Sequence, residues 1–159
     1  MHVYVVRHAI AEDARPGQAE GARELTKDGI KRLEQAVKGI RRLGIRFDRI
    51  VSSPWVRARD TAERLQPLCD AEPVVTDLLI QSPRAELLAM IAEQGLDTAI
   101  VGHEPWLGEL VAWLAFGDTR HGDALMLKKA GVVWLEGSAV PGGMQVRALL
   151  PPSVLRAVR

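Results

Sequence analysis

Cysteine is nearly absent: Cys69 stands alone among 159 residues, which excludes an internal disulfide and a cysteine-based zinc site and fits a reducing compartment. Neither sign of charge dominates, because 21 Lys and Arg against 20 Asp and Glu leave a net charge of +1, so a polyanion-binding surface such as nucleic acid requires has no compositional support. Long apolar runs are missing too. The run over 3–6 is broken by Arg7 and His8 before it could serve as a signal peptide, and no later stretch approaches the roughly 20 residues of a membrane span. A cytoplasmic protein with no membrane or nucleic-acid partner is therefore expected. Internal repeats and low-complexity tracts are also lacking. What is present is a globular composition, 47% hydrophobic and 26% charged, in a length that predicts one domain over residues 1–159 with enough core to fold unaided.

The elements alternate along the chain. Val3, Tyr4, Val5 and Val6 read as a buried strand ending at Arg7-His8. Residues 13–25, with Pro16, Gly17 and Gly21 among charges and no clear period, read as a long loop. Thr26 is expected to cap a helix that buries Ile30, Leu33, Val37 and Ile40 and stops at Gly44. A strand is expected over 47–51, and Ser53-Pro54 is read as an N-cap followed by proline at the first helical position, opening a helix to about Leu68. A third strand at 73–76 is followed by the same start signal at Ser82-Pro83, with Leu87, Leu88 and Ile91 as the apolar face and Gly95 as the stop. A fourth strand at 98–101 ends at Gly102-His103, and Pro105 is expected to open a helix carrying Trp106, Leu107, Leu110, Val111 and Leu114. The pattern then changes to two strands, 132–135 and 144–150, around Pro141-Gly142-Gly143. Together these elements predict an α/β fold, a three-layer sandwich with a mainly parallel sheet and helices on both faces.

Arg7-His8, Arg57 and Gly102-His103 each fall at or just beyond the carboxyl end of an expected strand, where open α/β sheets bind ligands. Two arginines and two histidines converging there describe an anion pocket, and guanidinium forks match phosphate oxygens two at a time. Taken singly, each segment is an ordinary strand end or helix face. Their order and spacing together are far more specific.

The segments Val5-Val6-Arg7-His8-Ala9, Glu24-Leu25-Thr26-Lys27-Asp28-Gly29, Val51-Ser52-Ser53-Pro54-Trp55-Val56-Arg57-Ala58-Arg59-Asp60-Thr61-Ala62 and Val101-Gly102-His103-Glu104-Pro105 resemble the histidine phosphatase superfamily, whose fold is phosphoglycerate mutase-like. The short chain without large insertions is most similar to the SixA-type phosphohistidine phosphatases. The resemblance implies a phosphatase with no cofactor and no metal, in which His8 is the nucleophile and Arg7, Arg57 and His103 bind the phosphoryl group. Chemically, a neutral imidazole attacks phosphorus in line and the resulting phosphohistidine is hydrolysed by water, while the cations offset charge on the phosphoryl oxygens. Those same cations disfavour protonation of His8.

Two positions depart from the family pattern. Ala9 stands where glycine usually follows the Arg-His pair and calls for an ordinary backbone conformation there. Where many relatives carry an acid for the leaving alcohol after the third strand, the stretch here runs Asp77-Leu78-Leu79-Ile80-Gln81, with Gln81 near that place. Glu12, Asp13, Asp77 and Glu104 are the candidate acids. A weak acid matters less for phosphohistidine, whose imidazole leaves more readily than an alkoxide, so a phosphohistidine protein is the expected substrate and partner. A small-molecule phosphomonoesterase and a phosphate-binding or phosphohistidine-sensing module without turnover are the alternatives.

Among the other residues, Arg59 either reaches phosphate or faces solvent, and His2 and His121 are expected at the surface. Trp106, Trp113 and Trp134 are expected in the core, and Trp55 beside the pocket. The pairs Arg41-Arg42 and Lys128-Lys129 are expected to be solvated.

Overall fold

The structure, a computed structural model, describes residues 1–159. One six-stranded sheet runs in the order β3-β2-β4-β1-β5-β6. Its strands are β1 (His2–Arg7), β2 (Arg49–Ser52), β3 (Val74–Val75), β4 (Thr98–Gly102), β5 (Val132–Gly137) and β6 (Met144–Leu150). The first four in spatial order are parallel, and β5 and β6 add an antiparallel pair beside β1. The mainly parallel sheet expected from the alternating pattern is what forms.

Helices α1 (Lys27–Arg42), α2 (Val56–Leu65) and α5 (Pro152–Ala157) contribute to one apolar layer, and α3 (Ala85–Ala92) and α4 (Trp106–Phe116) to the other. The strands serve both. Along β1, Tyr4 and Val6 enter the first layer and Val3 and Val5 the second, while Ile50 and Val51 of β2 divide the same way. A side-chain period of two between two covered faces demands apolar residues at every position, which explains the unbroken runs in β1 and β4. No helix of the chain is long and apolar enough to cross a membrane.

Helix α1 starts as expected, with Thr26 Oγ1 accepting the Gly29 N–H at 2.8 Å. The serine-proline starts are corrected. Helix α2 begins at Val56 with Trp55 as N-cap, and α3 at Ala85 with Arg84 as N-cap. Ser53 Oγ accepts the Trp55 N–H at 3.2 Å, as a cap would, but the helix itself starts only at Val56, and the same oxygen meets a histidine ring. Pro105 likewise is the N-cap of α4 rather than its first helical residue. Strand β2 is shorter than expected, with Phe47 reduced to an isolated bridge to Cys69. Helix α5 has no counterpart among the expected elements. It lies so close to α1 that a Cβ on Gly39 would overlap the Leu155 carbonyl oxygen.

Candidate active site

Register brings the site together. Arg7 pairs with Gly102 across β1 and β4, and Ser52 with Val101 across β2 and β4, so His8, Ser53 and His103 follow the last paired residues of three neighbouring strands. The His8 N–H donates to Gly102 O at 3.1 Å and the Ser53 N–H to Val101 O at 3.0 Å, fixing these strand ends against one another. The rings of His8 and His103 lie 5.1 Å apart and both residues are buried. Ala9 is fully buried, and its N–H donates to Thr61 Oγ1 at 3.1 Å. Only Gln94 and Ala130 among the non-glycine residues take positive φ, so Ala9 has the ordinary backbone its identity requires.

The tautomer of His8 follows from its contacts. Nδ1 lies 2.7 Å from Ala9 O, which can only accept, so Nδ1 carries the proton. Nε2 then holds a lone pair, and it accepts the Arg57 Nε–H at 3.2 Å. The His8 pKa is lowered to about 3, first by burial and then by the charges of Arg57, Arg7 and Lys129, against the opposing effect of the Ala9 contact. His103 is lowered to about 2, first by burial and then by His8, Arg57 and Arg7. Both rings are neutral at physiological pH.

Arg57 is 3% exposed, and all three of its nitrogens are engaged. Besides His8, it donates from Nη1 to Glu20 O at 2.8 Å and from Nη2 to Glu20 Oε1 at 2.9 Å. Glu20 sits in a short 3₁₀ turn, Glu20–Ala22, inside the stretch expected to be loop. A hydrogen bond from Arg23, at 2.7 Å, and then the charge of Arg57 hold its carboxyl below the usual range. Trp55 closes another wall, its ring 4.4 Å from that of His103 and 4.6 Å from the Arg57 guanidinium carbon. Gly21 allows this approach, since a Cβ there would come within 2.8 Å of the Trp55 ring. Ser53 Oγ lies 2.7 Å from His103 Nε2. Two polar atoms, Arg7 Nε and His103 Nδ1, are buried without a hydrogen-bond partner.

These side chains surround a cavity of about 310 Å³. It brings together Arg7, His8, Arg57 and His103, and adds Glu20, Arg23, Trp55, Trp106 and Lys129. The carboxylates singled out from sequence fare differently. Glu12, Asp13 and Asp77 are exposed and outside the cavity lining. Glu104 lines it, but its Oε1 accepts the Leu127 N–H at 2.6 Å and its Oε2 the Gly108 N–H at 2.9 Å. Arg59 is exposed and borders a separate hollow with Glu63 and Glu72. Trp106 corrects the core expectation, because its ring stands edge-on 6.4 Å from His103 at the cavity. Trp113 and Trp134 pack against the two apolar layers, and His121 is exposed. His2 is half-buried and accepts the Trp134 indole N–H at 2.9 Å. Lys129 is not simply solvated, being half-buried at the cavity wall.

What could have revealed Glu20 is its place amid basic residues ahead of α1, but nothing in an aperiodic stretch fixes where it points. As an arrangement, the cavity offers a neutral imidazole lone pair beside a guanidinium, with unpaired buried donors nearby. That is a seat for a tetrahedral anion next to a nucleophile.

Comparison with known proteins agrees. Residues 3–81 match the family model for the histidine phosphatase superfamily (branch 1). An uncharacterized protein of Picosynechococcus sp. is 38% identical over 147 residues, covering 87% of both chains. The chain resembles a structure assigned as the phosphohistidine phosphatase SixA of Agrobacterium tumefaciens, with 27% identity, TM-score 0.74, and 95% and 97% of the two chains covered. The protein histidine phosphatase SixA complexed with tungstate shares the fold at 23% identity and TM-score 0.79, over 98% of this chain and 99% of that one.

Proposed function

This chain belongs to the histidine phosphatase superfamily, and from that premise we propose that it hydrolyses phosphohistidine displayed on a protein, through a covalent intermediate on His8. The observation that carries the proposal is the His8 tautomer: Nδ1–H donates to Ala9 O, leaving the Nε2 lone pair beside Arg57.

In the first step Nε2 attacks phosphorus as the P–N bond of the substrate breaks, and its electron pair stays on the leaving imidazole, which takes a proton from solvent. Arg57 must turn its Nε–H from Nε2 toward a phosphoryl oxygen, which frees the lone pair as the substrate arrives. Arg7 Nε supplies a second unpaired donor. The Ser53 hydroxyl accepts from the Trp55 N–H, and because His103 Nε2 is its one remaining partner its own proton goes there, which puts the His103 proton on Nδ1, available to another phosphoryl oxygen. Water then attacks opposite Nε2, the P–Nε2 bond breaks, and phosphate leaves with the imidazole restored.

The carboxylates support a phosphoramidate rather than an ester. Glu104 has both oxygens committed to backbone N–H groups, and Glu20 is held ionised by Arg23 and Arg57. A poor proton donor hampers loss of an alkoxide more than loss of an imidazole. The likeness to a SixA-assigned protein at 27% identity points the same way.

The test measures phosphate release from a phosphohistidine-bearing protein and from a phosphoserine peptide, with wild type and His8→Ala. Release mainly from phosphohistidine, lost in the variant, is expected. Higher efficiency on phosphoserine or on small phosphomonoesters moves the substrate class. Release unaffected by His8→Ala overturns the nucleophile, and no wild-type release from any of these substrates favours a binding module.

A further inference from the structure

Next to the catalytic cavity lies a larger one, about 640 Å³, whose lining includes five cations: Arg7, Arg32, Lys128, Lys129 and Arg156. They come from β1, α1, the loop before β5, and α5. No carboxylate lines this cleft, although Asp28 pairs with Arg32 at 2.7 Å from one turn earlier on α1. In a chain whose net charge is +1, that concentration makes the cleft a local anion trap. Arg7 and Lys129 line both cavities, so the two share a wall. Beyond Met126, Leu127 and Lys128 the cleft continues into a mostly apolar groove of about 200 Å³ that reaches Leu149 and Leu150. Met126 is 52% exposed and Leu149 56% exposed, both large for apolar side chains.

A phosphoryl group by itself fits the catalytic cavity, where Arg7 and Lys129 also face it, and leaves Lys128 and Arg156 of the cleft without an anion. A small polyanion would satisfy the cations but leave Met126 and Leu149 in water. A ligand carrying several carboxylates and at least one apolar side chain matches the whole track. We propose that this cleft docks an acidic protein segment, anchored at its far end by an apolar side chain, while the phosphorylated residue enters the His8 cavity. The proposal rests on the phosphoprotein reading above and names what such a partner must display around its phosphorylated residue.

The test reads docking without turnover. A fluorescently labelled, unphosphorylated peptide of Asp and Glu residues with one Leu is titrated with the protein, and anisotropy is followed alongside a peptide in which Asn and Gln replace the acids. The acidic peptide is expected to bind at least about tenfold more tightly than the neutral one and to lose most of that advantage in Lys128→Glu/Arg156→Glu. The control is Lys38→Glu/Arg41→Glu, the same change of charge at a separate hollow on α1 and α2, which is expected to shift affinity less than about threefold. Thermal melts establish that both variants are folded, and Lys128→Gln/Arg156→Gln replaces the reversal variant if it is not. Equal binding of the two peptides overturns the proposal, as does a control variant that weakens binding as much as the cleft variant. Hydrolysis of phosphohistidine with no preference for the acidic peptide keeps the substrate reading and sinks the cleft. Acidic docking in a protein that hydrolyses only phosphomonoesters supports the cleft and sinks the phosphohistidine reading.

Discussion

The cavity around His8 and the basic cleft share Arg7 and Lys129 but are built on opposite plans. In the small cavity almost every group is held by another: His8 by Ala9 and Arg57, Arg57 by Glu20, and His103 by Ser53. In the cleft five cations arrive from four separate elements around a volume about twice as large. Chemistry on a phosphoryl group needs donors held close to their working positions, so that only the Arg57 Nε–H has to turn as the substrate arrives, because reorganising more of them costs barrier height. Recognition of a flexible, charged segment tolerates looser placement, since long side chains adjust to it.

The largest effect expected is on the fixed side. His8→Ala should lower turnover by about 10³-fold or more while orthophosphate still binds, because the variant removes the nucleophile and keeps Arg7, Arg57 and His103. Loss of phosphate binding in a folded His8→Ala protein would show that His8 is part of the clamp. Next, Arg57→Ala should cost about 10²- to 10³-fold, and Arg57→Lys should recover little of it. Lysine keeps the charge but cannot reach His8, the Glu20 carbonyl and the Glu20 carboxylate with one planar fork. Full recovery by lysine would mean that charge alone matters there.

Protonation sharpens the contrast further. The unfolded chain binds protons at His8 and His103 near the ordinary value of 6.5, whereas the fold does so only near about 3 and about 2. Between these limits the unfolded state holds more protons, so stability is lost as pH falls below about 6.5. Imidazole NMR titrations should show no inflection for either ring between pH 8 and 5, and urea unfolding should give a midpoint that falls with acid. The slope should shrink in His8→Ala. An inflection near 6.5 for His8 would overturn the buried, neutral ring.

A smaller effect separates the two regions at a distance. Gly39→Ala should displace α5, costing about 1–3 kcal/mol of stability because its Cβ would meet Leu155 O. Since α5 supplies Arg156 to the cleft, acidic-peptide binding should weaken while turnover of phosphoimidazole changes less than about twofold. Equal losses of both would show that the regions are one unit. Smallest of all, Glu20→Gln should tighten inhibition by orthophosphate severalfold, by about 1 kcal/mol, because a carboxylate competing for Arg57 and Arg23 is neutralised. Unchanged inhibition would mean that Glu20 moves aside at no cost.

The same division explains what could be read before the structure was known. Arg7, His8 and His103 sit at the ends of apolar runs whose period is unmistakable, Arg57 lies in the first turn of the helix that follows another such run, and strand pairing carries these ends to one place whatever the loops do. Glu20 and Lys129 lie in stretches without period, so their approach depends on backbone turns that no local pattern specifies. Ser53-Pro54 and Ser82-Pro83 misled because a cap signal identifies a turn but not which residue ends it, and Ser53 has a competing partner in His103. Helix α5, six residues behind Pro151, is too short to show an amphipathic period and owes its place to Leu155 against α1.

Ala130 has a consequence for anyone wishing to retarget this protein. It takes a φ of 62°, and its N–H is shared between the carbonyl oxygens of Arg7 and His8 at 3.1 and 3.2 Å. The segment bearing Lys128 and Lys129 is thereby bolted to the peptide units of Arg7 and of His8, the proposed nucleophile. Rewriting that loop to fit another ligand would disturb the seat of the reaction, and a φ so unfavourable for most side chains leaves glycine or asparagine as the natural replacements for Ala130. Helix α5 carries no such bolt to His8. It is the part of the cleft that directed evolution could vary freely, with selection for new partners running ahead of any loss of catalytic speed.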